Sequence, residues 1–174
     1  FSDAGVGFYG VYVTGTATRV SVRGCTIKNI QNASAPFSGI CGVNVAASDV
    51  YSLSVIDNVF DSLGTSALTG ATSAIKISPS GVCAFLRISG NKINEIQNLN
   101  TASGIIVSSV SYLIEDAVIS GNVITNIGTS STANVYGVNL LGVSDAVISS
   151  NVLKYLGHTS AGCSTYGVSL AASK

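Results

Sequence analysis

Three acidic side chains, Asp57, Asp61 and Glu95, are the first candidates for chemistry in this chain. Glycosidic hydrolysis needs two carboxyl groups facing one groove, about 5–10 Å apart, one as acid and one as base or nucleophile. Asp61 and Glu95 are the catalytic candidates, provided the fold sets one above the other. Asp57 stands where equivalent stretches carry Gly24, Gly90, Gly121 and Ser150, so it reads as a turn residue. Glu115 and Asp116 form an acidic pair, yet Asp116 precedes a strand just as Asp145 does, and turn capping accounts for both. His158, the single histidine, has no Cys or Asp at triad-like spacing and reads as an exposed loop residue. Cys25, Cys41, Cys83 and Cys163 show no metal-type spacing and are expected as buried free thiols. Neither a metal site nor a cofactor is expected. The best binding signal is aromatic: Tyr9, Tyr136 and Tyr166 share one position ahead of a Gly-Val stretch. Tyr136 and Tyr166 could stack and offer sugars a ring surface.

These residues acquire meaning through a repeat. Leu86–Ile96 (Leu-Arg-Ile-Ser-Gly-Asn-Lys-Ile-Asn-Glu-Ile) returns as Ala117–Ile127, and again over 146–156, 53–63 and 20–30. Aligned, the copies give a column of Cys25, Asn58, Asn91, Asn122 and Asn151, in steps of 33, 33, 31 and 29. Apolar columns surround it: Val20, Leu53, Leu86, Ala117, Ala146; Val22, Val55, Ile88, Ile119, Ile148; Ile27, Phe60, Ile93, Ile124, Leu153; and Ile30, Leu63, Ile96, Ile127, Leu156. Between the copies lies a second unit of the form Gly-Val-x-Val, starting at Gly10, Gly42, Ala74, Gly104, Gly137 and Gly167. Its third position is Tyr12, Asn44, Lys76, Ile106, Asn139 and Ser169. Alternation of β-branched residues with polar ones predicts strands with one buried face. Three short strands per repeat, too short to stand alone, hold together if each coil pairs with the one below at about 4.8 Å. The asparagine amides are expected to form a structural ladder, bonding a bend in their own coil and the next asparagine in the stack.

Composition narrows the classes. The 174 residues are 47% hydrophobic but only 9% charged, with eight basic and eight acidic side chains. A surface of Ser, Thr, Asn and Gly without basic surplus excludes an ordinary nucleic-acid partner, and no apolar run reaches the length of a membrane span. The chain reads as one domain, 1–174, cut from something longer. Loops of variable length, such as 31–41, 64–73 and 157–166, are the usual ground for binding surfaces.

The pattern Ile-Ser-Gly-Asn-x-Ile-x-x-Ile, five times over with Gly-Val-x-Val between, resembles the right-handed parallel β-helix proteins. This pectate-lyase-like superfamily includes phage tailspikes and secreted polysaccharide-active proteins. The resemblance implies an all-β, right-handed, single-stranded solenoid of five to six coils, with carbohydrate bound along one side. Lyase chemistry in that superfamily uses a Lys or Arg base with Ca²⁺, and here Arg87 and Lys92 are outward and isolated. A leucine-rich repeat is the competing fold, since Leu86–Ile93 fits its spacing, but the Gly-Val-x-Val units and the Ile/Val columns speak against it. Two functions follow as expectations. One is an extracellular or virion-surface segment that binds a polysaccharide, with any cleavage left to its parent. The other is a non-enzymatic structural stalk or filament component whose β-helices stack end to end or lie side by side. Self-assembly as a homotrimer or end to end is the partner expectation, and a homotrimer bundled side by side would instead favour a tailspike.

Overall fold

The computed structural model describes residues 7–31, 39–65, 70–109, 114–129, 131–157 and 164–171. Among these there is no helix. In chain order the strands are β1 (Phe8–Val13), β2 (Thr16–Arg23), β3 (Thr26–Lys28), β4 (Gly39–Val45), β5 (Asp49–Ile56), β6 (Val59–Thr65), β7 (Ala71–Ile77) and β8 (Cys83–Ser89). They continue as β9 (Lys92–Asn98), β10 (Ala102–Ser108), β11 (Ala117–Ser120), β12 (Val123–Ile127), β13 (Val135–Leu141), β14 (Ala146–Ser149), β15 (Val152–Leu156) and β16 (Thr165–Ala171). Every third strand pairs in parallel with its own copy. The result is a six-stranded sheet β1-β4-β7-β10-β13-β16 and two five-stranded sheets, β2-β5-β8-β11-β14 and β3-β6-β9-β12-β15. This is a parallel β-solenoid with three strands per coil, as the repeat predicts.

The register is the one the columns dictate. Val20 pairs Leu53, Leu53 pairs Leu86, and Leu86 pairs Ala117. Ile27, Phe60, Ile93, Ile124 and Leu153 form an unbroken file through the third sheet. In the inner coils these files are fully buried, whereas Val20, Ile27, Ile148 and Leu153 in the outer coils are only partly so. A stacked coil is covered from both sides and an outer one from a single side, so the apolar gain per residue falls toward both ends. Cys83 belongs to one more inward file, with Val50 before it and Ile114 and Val143 after it.

In four of the six Gly-Val-x-Val units, at Gly10, Gly42, Gly104 and Gly137, the glycine is dictated by close approach. A Cβ on Gly42 would lie 2.5 Å from Phe60 and 2.6 Å from the carbonyl oxygen of Ala74; on Gly137 it would lie 2.6 Å from both Leu153 and the Gly167 carbonyl. The first sheet presses its backbone onto side chains of the third, leaving no room for a methyl group. A separate position explains Asp57. It has φ 56°, and its equivalents Gly24, Gly90, Gly121 and Ser150 are also left-handed, so the residue is a turn former.

Candidate functional site

The asparagine ladder is formed, but its bonds run to the neighbouring coils more than to the bend of its own. The Asn91 Oδ1 accepts the Asn58 backbone N–H at 3.0 Å and the Asn58 Nδ2 at 3.0 Å. The Asn91 Nδ2 donates to the Asn122 Oδ1 at 2.9 Å and back to the Val55 carbonyl at 2.9 Å, with a longer 3.2 Å bond to Ser89 in its own coil. Asn58 and Asn122 repeat this geometry, and Asn151 accepts from Asn122 in turn. Asn91 and Asn122 thereby fill both acceptor sites and both donors, and Asn58 fills both donors and accepts one bond, which is what lets all three sit fully buried. Cys25 replaces the first amide and still donates its N–H to Asn58 at 2.9 Å.

The carboxylate candidates fall on the outer side of the third sheet and are occupied structurally. Asp61 accepts from the Asn94 amide at 2.7 Å, and Asn94 Oδ1 accepts from Thr125 at 3.0 Å and Asn126 at 2.8 Å. Glu95 accepts from Ser62 Oγ at 2.7 Å, and both adopt φ 56°, as Asn29 and Asn126 do at the same bend. Asp61 and Glu95 thus each join a neighbouring coil, Asp61 the one after and Glu95 the one before, and each carboxylate is bonded to a partner other than its fellow. Arg87 donates to Ser89 at 3.2 Å, and Lys92 is exposed. Asp116 has φ 45° and offers its backbone carbonyl to Leu86 at 3.4 Å, so it turns the chain into β11 through the backbone. His158 and Cys163 lie outside the described residues. Cys25, Cys41 and Cys83 are free thiols. Burial pushes Cys41 up to about 11 against smaller lowering effects of Ser73 and Lys76, and burial alone pushes Cys83 up to about 11. Both are therefore inert at neutral pH. Among the described residues no three His, Cys, Asp or Glu gather to hold a metal, and no helix could cross a membrane.

The tyrosine file lies on the outer face of the first sheet. Tyr136 and Tyr166 are register partners, and their rings stack with centroids 5.2 Å apart and planes 10° apart. The Asn134 amide donates to the Tyr136 hydroxyl at 3.0 Å and holds that ring. Tyr9, at the other end of the same file, stacks instead on Tyr12, at 4.8 Å and 16°. The file reads Tyr9, Cys41, Ser73, Ser103, Tyr136, Tyr166. Tyrosines stand at both ends, and small side chains make a trough between them.

The trough holds a recess of about 70 Å³ lined by Tyr9, Cys41, Asn44, Ser73, Lys76 and Ile106 among others. Asn44, Lys76 and Ile106 are successive members of the neighbouring outward file. Cys41 Sγ lies 3.0 Å from the Val43 carbonyl and 3.4 Å from Ser73 Oγ. Asn44 is only 6% exposed, and its Oδ1 has no hydrogen-bond partner among the described residues; Ser103 Oγ is likewise buried and unpartnered. Two orphaned polar atoms on one face are costly unless a ligand or solvent satisfies them. Sequence reading found the tyrosines and missed this recess, because small residues make it and aromatic ones attract notice. The outward Asn44-Lys76-Ile106 run was the available signal. Compared with family models, curated proteins and solved structures, the chain matches none.

Proposed function

We propose that this solenoid binds a polysaccharide along the outer face of its first sheet, as a segment of an extracellular or virion-surface protein of the pectate-lyase-like kind. The observation that carries the reading is the Tyr136–Tyr166 ring pair in line with a polar trough. Each ring keeps one face turned away from the other. Aromatic faces take the C–H surface of a sugar, while amides and hydroxyls take its hydroxyl groups. The scarcity of charge, 9% of residues, suits a neutral or weakly charged glycan. Binding without cleavage is the activity assigned to this segment, because Asp61 and Glu95 are each engaged by a neighbouring coil and neither lines the recess.

The test is a printed glycan array followed by titration of the best ligand against the wild-type chain, Tyr136→Ala and Tyr166→Ala. Loss of about 1–3 kcal/mol per ring is the scale for a stacking contact removed from a bound ring system, taken from base stacking on aromatic side chains. No binding across the array, or binding indifferent to both tyrosines, refutes the proposal.

A further inference from the structure

We infer that the recess in the first sheet is a subsite for the acetamido substituent of an N-acetylated sugar. The inference rests on the glycan-binding reading and adds the chemical class that the face selects. Three neighbours on successive strands β4, β7 and β10 supply three different surfaces. Asn44 offers a buried acceptor without a partner, Lys76 an exposed ammonium donor, and Ile106 an aliphatic wall. The other members of that file, Tyr12, Asn139 and Ser169, all carry polar groups, so Ile106 is the lone aliphatic side chain in it.

An acetamido group carries one donor, one acceptor and one methyl. Its amide is planar and trans, so its N–H and C=O point in opposite directions. Placed between two strands about 4.8 Å apart, the carbonyl oxygen accepts from the exposed Lys76 Nζ, and the N–H meets Asn44 Oδ1 once the Asn44 amide, whose oxygen is enclosed in the unliganded chain, turns toward the recess. The methyl then lies against Ile106 or the Tyr9 ring. The recess, at about 70 Å³, has room for a substituent rather than for a whole oligosaccharide. A sugar carboxylate fits less well: it would satisfy Lys76 but set negative charge against the orphaned Asn44 oxygen, and it would gain nothing from Ile106. A plain hydroxyl would satisfy Asn44 and leave the apolar wall unused.

The experiment uses oligosaccharide pairs identical except for N-acetylation. A β-1,4-linked N-acetylglucosamine tetramer is set against its fully deacetylated form, with matched pairs of other linkages and carboxylated sugars on an array. The N-acetylated member is expected to bind at least about tenfold more tightly, because a site that hydrogen-bonds a group rejects the analogue lacking it. Lys76→Ala and Ile106→Asn, both on the outward file, should erase most of that preference. Asn44→Leu should do the same, and the two other variants carry the test if it folds poorly. Binding that ignores acetylation and all of these variants overturns the subsite and leaves the glycan reading standing. A preference for the carboxylated partner also overturns the subsite. Failure of every glycan to bind overturns both.

Discussion

Replacing Asn91 by Ala tests the ladder at its centre. The substitution removes the acceptor of two buried donors, the Asn58 N–H and one hydrogen of the Asn58 amide, both at 3.0 Å. The Asn122 oxygen keeps the Asn91 backbone N–H, also at 3.0 Å, and so stays paired. An orphaned buried donor costs about 1–3 kcal/mol, so the loss should be about 2–6 kcal/mol. For a chain of this size a loss of 4 kcal/mol lowers the melting temperature by about 8–16 °C. Asn151→Ala is the control. It removes the same two bonds from Asn122, but Asn151 is partly exposed and water can replace them, so about 1–2 kcal/mol is expected. Urea unfolding followed by far-UV circular dichroism compares the two. Equal midpoints, or a central variant as stable as wild type, would refute the claim that saturated buried amides hold the coils together.

Four further outcomes follow from other parts of the fold. Gly42→Ala should destabilise by about 2–3 kcal/mol, since overpacking a filled core costs that much, while Gly167→Ala, whose nearest neighbour would be 3.9 Å away, should stay within about 0.5 kcal/mol; urea midpoints decide it. In a Cys163→Ser background, a soluble maleimide should label Cys25 ahead of Cys41 and Cys83 at pH 8, and equal rates in the native protein would contradict the burial of the latter two. Their thiols are raised from 9.0 to about 11 in the fold, so the folded state favours the neutral form. Their contribution to stability is complete below pH 9 and is lost as pH rises toward 11, which urea unfolding across that window can follow. Asp61→Asn and Glu95→Gln should leave glycan affinity within about twofold, because neither side chain lines the recess and surface substitutions away from a site are nearly neutral; a large loss in either would return the carboxylates to the site.

The fold was legible because a solenoid writes its contacts into its own periodicity. Leu53 reveals the place of Leu86, and Leu86 that of Ala117, since each occupies the same position in its coil. The glycine column was visible as a pattern, but its cause, the Phe60 and Leu153 side chains pressed on the first sheet, needs three dimensions. The direction of the asparagine bonds was also hidden, because sequence gives the order of coils and not which neighbour each amide faces. The site was least legible. Tyr136 and Tyr166 announce themselves, whereas a trough is made by what Ser73 and Ser103 lack.

The asparagine column has one more property. Every inner amide oxygen receives its bonds from the preceding coil, and every inner amide nitrogen also reaches the following one. The amide dipoles therefore add along the axis and polarise one another in the same sense. The stack has an arrow. A whole coil can be duplicated or excised in frame while that arrow is kept, but a coil grafted upside down would set oxygen against oxygen. Lengthening such a protein by tandem duplication is chemically easy, and reversing any part of it is not.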